Sequence, residues 1–248
     1  MSSPGTGAPA RDASPHGANT IDLGIIVVVP AFNEERTIES VIRGLQHVGF
    51  RRVLVINDGS SDRTEEYAVQ AGAEVRTHLV NRGCGAALTT GIRAALLRGA
   101  EVVVTCDADG QHAPEDATRV MVPVVRGDAD VAIGSRLLGG GWMPLRRRIA
   151  NRVADLVTFA LCGVWVTDSQ SGLRALSRKA AETIRIDADG MEFSSTLRVE
   201  IARHRLRCRE VPISSIYTEY SLSKGQSFRV GLRTLRKLML RKIVRTRG

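Results

Sequence analysis

The chain has 248 residues, 43% of them apolar, which is enough for one large core, and no apolar run approaches the roughly 18 residues of a membrane span. Nine of the 35 Lys and Arg residues fall between Lys224 and Gly248, where there is no Asp or Glu. The first 223 residues therefore balance 26 basic against 26 acidic groups, and the net charge of +9 sits in one tail. A balanced body with 4% aromatic residues offers few stacking platforms, which weighs against a nucleic-acid-binding protein that uses this tail.

Residues 1–20 are rich in Pro, Gly, Ala and Ser without a continuous hydrophobic segment, which predicts a disordered tail and no secretory signal. Ile25 to Val29 is a continuous apolar run ending at Pro30, the pattern of a strand buried on both faces. Ile38, Val41, Ile42 and Leu45 have helical spacing within 37–48. Val53 to Ile56 reads as a second buried strand, 64–71 as a helix and Glu74 to Thr77 as a short strand. Residues 84–97 read as a helix, 101–106 as a strand, 114–126 as a helix with Pro114 in its first turn, and 131–133 as a strand. Five alternations of strand and helix at short spacing predict a parallel α/β sheet covered on both faces. Beyond Arg136 come a loop with Gly139, Gly140 and Gly141, a helix over about 145–161, a helix over 193–204 and a strand over 209–213. The four cysteines, Cys84, Cys106, Cys162 and Cys208, are scattered with no CxxC pair, as expected of core thiols in a reducing compartment.

In open α/β sheets, ligands bind beyond the carboxyl ends of the strands. Three polar clusters fall there: residues 30–35 (PAFNEE), 57–62 (NDGSSD) and 107–111 (DADGQ). Asp107 and Asp109 repel each other unless a cation lies between them. Mg2+ and Mn2+ prefer hard oxygen ligands and commonly use one or two carboxylates plus substrate phosphates, and the Gln111 amide oxygen is a further hard ligand. The alternative is a turn at Asp109-Gly110 with Asp107 as a helix cap. Asp58 is a candidate acceptor for base N–H groups and ribose hydroxyls, while Asp62 or Ser61 can cap the helix that follows. Residues 81–85 (NRGCG) lie before a helix, where glycines allow close approach and the helix start favours an anion; a plain turn fits equally well.

Together with NRGCGAAL and GSR, these clusters resemble the family 2 glycosyltransferases of the GT-A nucleotide-sugar fold, over about residues 24–228. TDSQSGLRAL (167–176) resembles the branch that moves mannose or glucose from a nucleotide sugar, a GDP- or UDP-hexose, to a dolichyl or other polyprenyl phosphate. The resemblance implies that Pro30, Phe32, Glu34, Asp58 and Asp109 hold the nucleotide and that Asp107, Asp109 and Gln111 hold Mg2+ or Mn2+. It implies inversion by one in-line displacement. Asn57 departs from the family, which more often has a second Asp there. The expected organisation is a tail over 1–20, a catalytic domain over 21–223 and a basic helix over 224–248.

A sugar hydroxyl needs a general base to become nucleophilic, whereas a phosphate monoester is already mostly dianionic near neutral pH. A lipid-phosphate acceptor therefore calls for cations. Arg136, after the fifth strand, is one candidate. The run Arg146-Arg147-Arg148 is another, against the alternative of a solvated face, and the resemblance favours Arg148. Asp168 is the candidate for orienting the acceptor, or for serving as base if the acceptor is a soluble or glycan hydroxyl. His112 reads as a helix-entry residue, Arg174 as one half of an ion pair and Glu192 as a complement to a helix start.

From Ser227 the apolar residues Phe228, Leu232, Leu235, Leu238, Met239 and Ile243 recur at three- and four-residue steps among Arg and Lys. This predicts a basic amphipathic helix suited to an anionic membrane surface, with a separate membrane protein as the alternative partner. The protein is accordingly expected to be cytoplasmic and peripheral on the inner membrane face. By resemblance, the loop over 220–227 closes on the donor and Lys224 contacts its diphosphate.

Overall fold

The computed structural model describes residues 24–138, 171–185, 193–214 and 216. The expected tail over 1–20, the loop over 139–141, the helix over 145–161, Arg148, Asp168, Glu192, Lys224 and the basic helix over 224–248 lie outside the described residues.

The apolar runs form strands, as their patterning predicts: β1 (Ile25–Ala31), β2 (Val53–Asn57), β3 (Glu74–Thr77), β4 (Val102–Thr105) and β5 (Val131–Ser135). The intervening amphipathic stretches form α1 (Ile38–His47), α2 (Thr64–Gln70), α3 (Cys84–Leu97) and α4 (Pro114–Val125). Pro114 occupies the first turn of α4, where its missing N–H costs nothing. Then follow β6 (Arg174–Ser177), α5 (Arg178–Thr183), α6 (Phe193–Arg203) and β7 (Cys208–Pro212). The seven strands lie in the order β3-β2-β1-β4-β6-β5-β7.

Residues of β1 divide between the two faces with the period of two that a strand imposes. Ile25, Val27, Val29 and Ala31 pack with α1, α2 and α4 on one side, through Ile38, Ile42, Leu45, Ala68, Val120 and Val124. Ile26 and Val28 pack with α3, α5 and α6 on the other, through Ala87, Ile92, Ala180, Leu197 and Ile201. The sheet is therefore covered on both faces, and this is why its central strands are apolar throughout rather than alternating.

The sequence pattern gave no indication of β6 or α5. β6 runs antiparallel to both β4 and β5, with Arg174 opposite Thr105 on one side and Ile133 on the other, which makes the sheet mostly parallel, as the resemblance to the GT-A fold implies. The four residues of β6, Arg-Ala-Leu-Ser, offer neither an apolar run nor a clear polar–apolar alternation. Its insertion between β4 and β5 also breaks the chain-order sequence of parallel units. The consequence for the site is direct: because β6 runs the other way, its amino-terminal end meets the carboxyl ends of β4 and β5.

α3 packs closely on β1. A Cβ at Gly91 would come within 2.2 Å of Val28 Cγ1 and 3.1 Å of Ile56 Cγ1. Overpacking of this kind costs roughly 1–3 kcal/mol, more than the roughly 1 kcal/mol that Ala gains over Gly in a helix. Gly91→Ala is therefore expected to lower the midpoint of denaturant unfolding with an unchanged m-value. A midpoint equal to or above that of the parent would show that α3 has room to move off the sheet.

Candidate functional site

Asp107, Asp109 and Gln111 leave the carboxyl end of β4 in one tight turn. Both the Gln111 N–H (3.0 Å) and its side-chain amide (2.7 Å) donate to the Asp109 carboxylate. Asp107 is set in the cleft with 37% of its side chain open, and His112 Nε2 lies 3.4 Å from its Oδ2. Opposite, the start of β6 presses on the carboxylate. A Cβ at Gly172 would fall 2.1 Å from both Asp107 oxygens, so a larger residue there would displace the carboxylate, and the Thr105 hydroxyl donates to the Gly172 carbonyl (2.8 Å) and holds that approach. His112 is 3% exposed. It is more than the helix-entry residue expected of it, because its ring faces Asp107 while its Nδ1 is buried without a hydrogen-bond partner among the described residues.

The two carboxylates titrate apart. Burial pushes the Asp107 carboxyl up, but the hydrogen bond and charge of His112, with Arg174 and Arg136 behind them, hold it below its ordinary value. Burial and the Asp107 charge push the Asp109 carboxyl up, with Glu34 adding to the rise. Asp107 is thus the first to ionise and Asp109 the last, as expected when like charges share a small space.

Arg136 follows β5 directly and is half-buried. Arg174 is 3% exposed. It donates to Ser194 Oγ (2.6 Å) and lies 5.1 Å from the centre of the Phe193 ring. β6 thus carries a buried positive charge whose field helps to hold the Asp107 carboxyl down.

The loops after β1 and β2 are knitted together. Asn33 has a positive φ of 54°, which Asn tolerates better than most residues. Its N–H donates to Ser60 Oγ (3.0 Å), and its side-chain oxygen accepts from the Ser61 N–H (3.0 Å). The Glu34 N–H donates to Thr64 Oγ1 (2.8 Å), and the Glu35 N–H to Asp62 Oδ2 (3.2 Å). In return the Arg63 N–H donates to Glu35 Oε2 (3.2 Å). Asp62 caps α2 by accepting from the Thr64 N–H (3.0 Å) and hydroxyl. Burial raises its carboxyl, and these bonds bring it below the ordinary value. Beside this frame Pro30 is half-buried and Phe32 exposed, and Glu34 is close enough to Asp109 to raise its carboxyl.

Asp58, expected to accept from base N–H groups and ribose hydroxyls, is also engaged within the chain. It is 3% exposed, and three acceptor positions are filled from within the chain: His78 Nδ1 (2.7 Å) and the Arg82 N–H (3.0 Å) on Oδ1, and the Gly83 N–H (2.7 Å) on Oδ2. A carboxylate has about four such positions, so one remains. His78 escaped the sequence reading because it follows the edge strand β3, whose residues are mostly exposed and carry no pattern. Gly172 was legible only as part of a motif; the signal that marks it is a small residue directly across from Asp107.

A mostly parallel sheet covered on both faces, with polar loops collected at one edge, defines a GT-A-like α/β fold. The structure of glucosyl-3-phosphoglycerate synthase from Mycobacterium tuberculosis, with Mn2+, uridine diphosphate and phosphoglyceric acid, superimposes with a TM-score of 0.69 at 22% identity, covering 87% of this chain and 75% of that one. Residues 26–185 match the model of glycosyl transferase family 2. The chain belongs to that family and is a glycosyltransferase. Among its relatives, an uncharacterized protein of Methanocaldococcus jannaschii is 45% identical over 88% of this chain and 92% of its own length. The UDP-N-acetylglucosamine–dolichyl-phosphate N-acetylglucosaminyltransferase of Methanococcus voltae is 33% identical over 90% and 97%. The polyprenol monophosphomannose synthase of Mycolicibacterium smegmatis is 34% identical over 80% of each.

Asp109 binds its proton more tightly in the folded chain than in the unfolded one. Its contribution to stability is therefore full below the unfolded carboxylate value, about 4, and is lost as pH rises through the raised folded value. Asp109→Asn removes the repulsion, so without added metal the variant is expected to melt above the parent at neutral pH. The gap should close on acidification. A gap that stays constant, or widens, in thermal melts taken across this pH range would contradict the repulsion.

Proposed function

We propose that this glycosyltransferase moves a hexose, mannose or glucose, from a GDP- or UDP-sugar to a polyprenyl phosphate, with inversion at the anomeric carbon. The observation that carries the reading is the Asp107–Asp109 pair at the carboxyl edge of β4, with Arg136 and Arg174 near enough to hold the Asp107 carboxyl down. The relatives named for dolichyl and polyprenyl phosphate acceptors support the choice of acceptor.

The donor set fits a hard divalent ion. Asp107, Asp109 and the Gln111 amide oxygen are all oxygen ligands, and the pair repels itself without a cation. Among the described residues no group of three His, Cys, Asp or Glu side chains forms a metal site. That suits Mg2+ or Mn2+, which commonly take their remaining ligands from substrate phosphate and water. Such an ion neutralises charge developing on the departing diphosphate. To serve as a ligand, Gln111 would present its amide oxygen and give up the bond from its side-chain nitrogen to Asp109.

Pro30, Phe32, Glu34 and Asp109 line the nucleotide side, with Asp58 beneath it and Lys224 on the diphosphate. The acceptor phosphate is already anionic, so the residues beside it orient rather than deprotonate. Arg136 and Arg148 pair with its oxygens, since guanidinium groups suit bidentate phosphate contact, and Asp168 sets its direction. Among the described residues no helix is long and apolar enough to cross a membrane. The role proposed for the basic amphipathic pattern over residues 224–248 is to hold the protein on the anionic inner face of the membrane, where a polyprenyl phosphate would lie.

The purified chain, given a panel of nucleotide sugars with a prenyl phosphate and Mg2+ or Mn2+, is expected to form sugar-linked lipid from one donor. Asp107→Ala should lower the rate by roughly 100- to 1,000-fold, the loss typical of removing one group that stabilises transition-state charge, with an unchanged circular dichroism spectrum. Transfer only to a soluble hydroxyl acceptor would overturn the lipid-phosphate reading. Undiminished transfer by the variant would overturn the metal site.

A further inference from the structure

The Asp58 carboxylate is aimed at the loop before α3 rather than at the open cleft. Its oxygens receive the backbone N–H groups of Arg82 and Gly83, the two peptide units that lead into the first turn of α3. It is itself gripped from behind. His78 Nδ1 lies 2.7 Å from Oδ1, and the other ring nitrogen lies 3.0 Å from Thr90 Oγ1 on α3. A carboxylate only accepts, so Nδ1 carries the proton. The imidazole is then fixed at both ends, one on the loop after β2 and one on α3. His78 is 10% exposed, and its own N–H donates to the Asn57 carbonyl (2.9 Å). Gly59 closes the same arrangement: its φ is 73°, and a Cβ there would come within 2.7 Å of the Val80 carbonyl carbon and 2.8 Å of the Asn81 nitrogen.

We infer that His78 is a positioning residue for the donor: through Asp58 it fixes the Arg82–Gly83 turn, and that turn forms one wall of the nucleotide pocket. The inference rests on the nucleotide-sugar reading above. It assigns Asp58 to shaping the pocket, with at most one acceptor position left for the ligand. Three bonds to one buried carboxylate make the turn rigid before any ligand arrives, so binding does not have to order it.

The test uses the full chain with UDP and GDP as probes in calorimetry, beside hydrogen exchange at the Arg82 and Gly83 amides. His78→Leu keeps the volume and removes the bond. His78→Asn returns an amide nitrogen near the place of Nδ1. Thr90→Val removes the far anchor from outside the pocket and carries the test if the leucine variant fails to fold. Loss of a hydrogen bond to a charged group corresponds to roughly a 10- to 100-fold change. His78→Leu is expected to weaken binding of whichever nucleotide the parent takes, and to speed exchange at both amides, by that order. His78→Asn should recover most of the loss. In turnover the donor KM should rise while kcat and the acceptor KM stay near parental values.

Slow exchange and unchanged nucleotide affinity in His78→Leu would overturn the inference. So would a uniform fall in all three kinetic quantities that tracks the melting temperature, which would mark His78 as structural only. If Asp58→Asn weakens nucleotide binding and His78→Leu does not, Asp58 touches the nucleotide directly and the inference fails. Should the parent bind neither UDP nor GDP, the functional reading falls, while the exchange measurement still decides whether His78 holds the turn.

Discussion

Two negative charges held one residue apart at a strand end are unfavourable in themselves, and much of this molecule is arranged around that pair. β4 delivers Asp107 and Asp109 to the edge of the sheet. The chain entering β6, which runs against it, brings Gly172 onto the face of Asp107 so closely that a side chain there would displace the carboxylate. The same strand brings Arg174, whose charge offsets part of the repulsion from a position water scarcely reaches. In a medium of low effective dielectric such charges act more strongly than on the surface. The cleft therefore sets the two carboxyls apart in their proton affinity without any ligand present.

That placement makes the antiparallel strand the piece on which the site turns. A wholly parallel sheet would bring only carboxyl ends to this edge. By reversing one strand, the fold adds an amino-terminal end to it, and with that end Gly172, Leu173 and a buried arginine. The Ser194 hydroxyl and the Phe193 ring offset part of the cost of burying this guanidinium, so α6 is tied to the chemistry of the edge as well as to the core.

What the sequence made legible follows from the range of the forces involved. β1, β2 and β4 were readable because a doubly covered strand must be apolar at every position, and α1 because its apolar residues repeat at helical spacing; both are local rules. The three polar clusters were readable because strand ends announce where a chain turns from core to edge. β6 was not, since its burial depends on partners about seventy residues away in β4. Nor was the use made of Asp58, whose partners lie 20 to 25 residues downstream: the His78 ring and two backbone N–H groups that have no identity in the sequence. His112 showed only its neighbour Pro114; its closeness to Asp107 arises from the turn at Asp109 and Gly110, which folds the chain back on itself.

The two sides of the cleft differ in how they are built. Around β1, β2 and β3 the loops cross-brace one another, with Asn33 reaching to Ser61, Glu35 to Arg63 and Asp58 to the turn before α3. Each of these bonds joins two loops, so none can shift alone. Around β4, β6 and β5 the hydrogen bonds of Gln111 to Asp109 and of Thr105 to Gly172 are joined by a balance of charge, with the carboxylate pair set against Arg136 and Arg174. A braced side suits a ligand recognised by shape and by fixed donors. A charge-balanced side suits one whose charge changes as bonds form and break, because it can respond to that change without moving the frame. The division runs through the middle of the sheet between β1 and β4, where the strand order changes direction, and it is there that a ligand spanning both kinds of surface would lie.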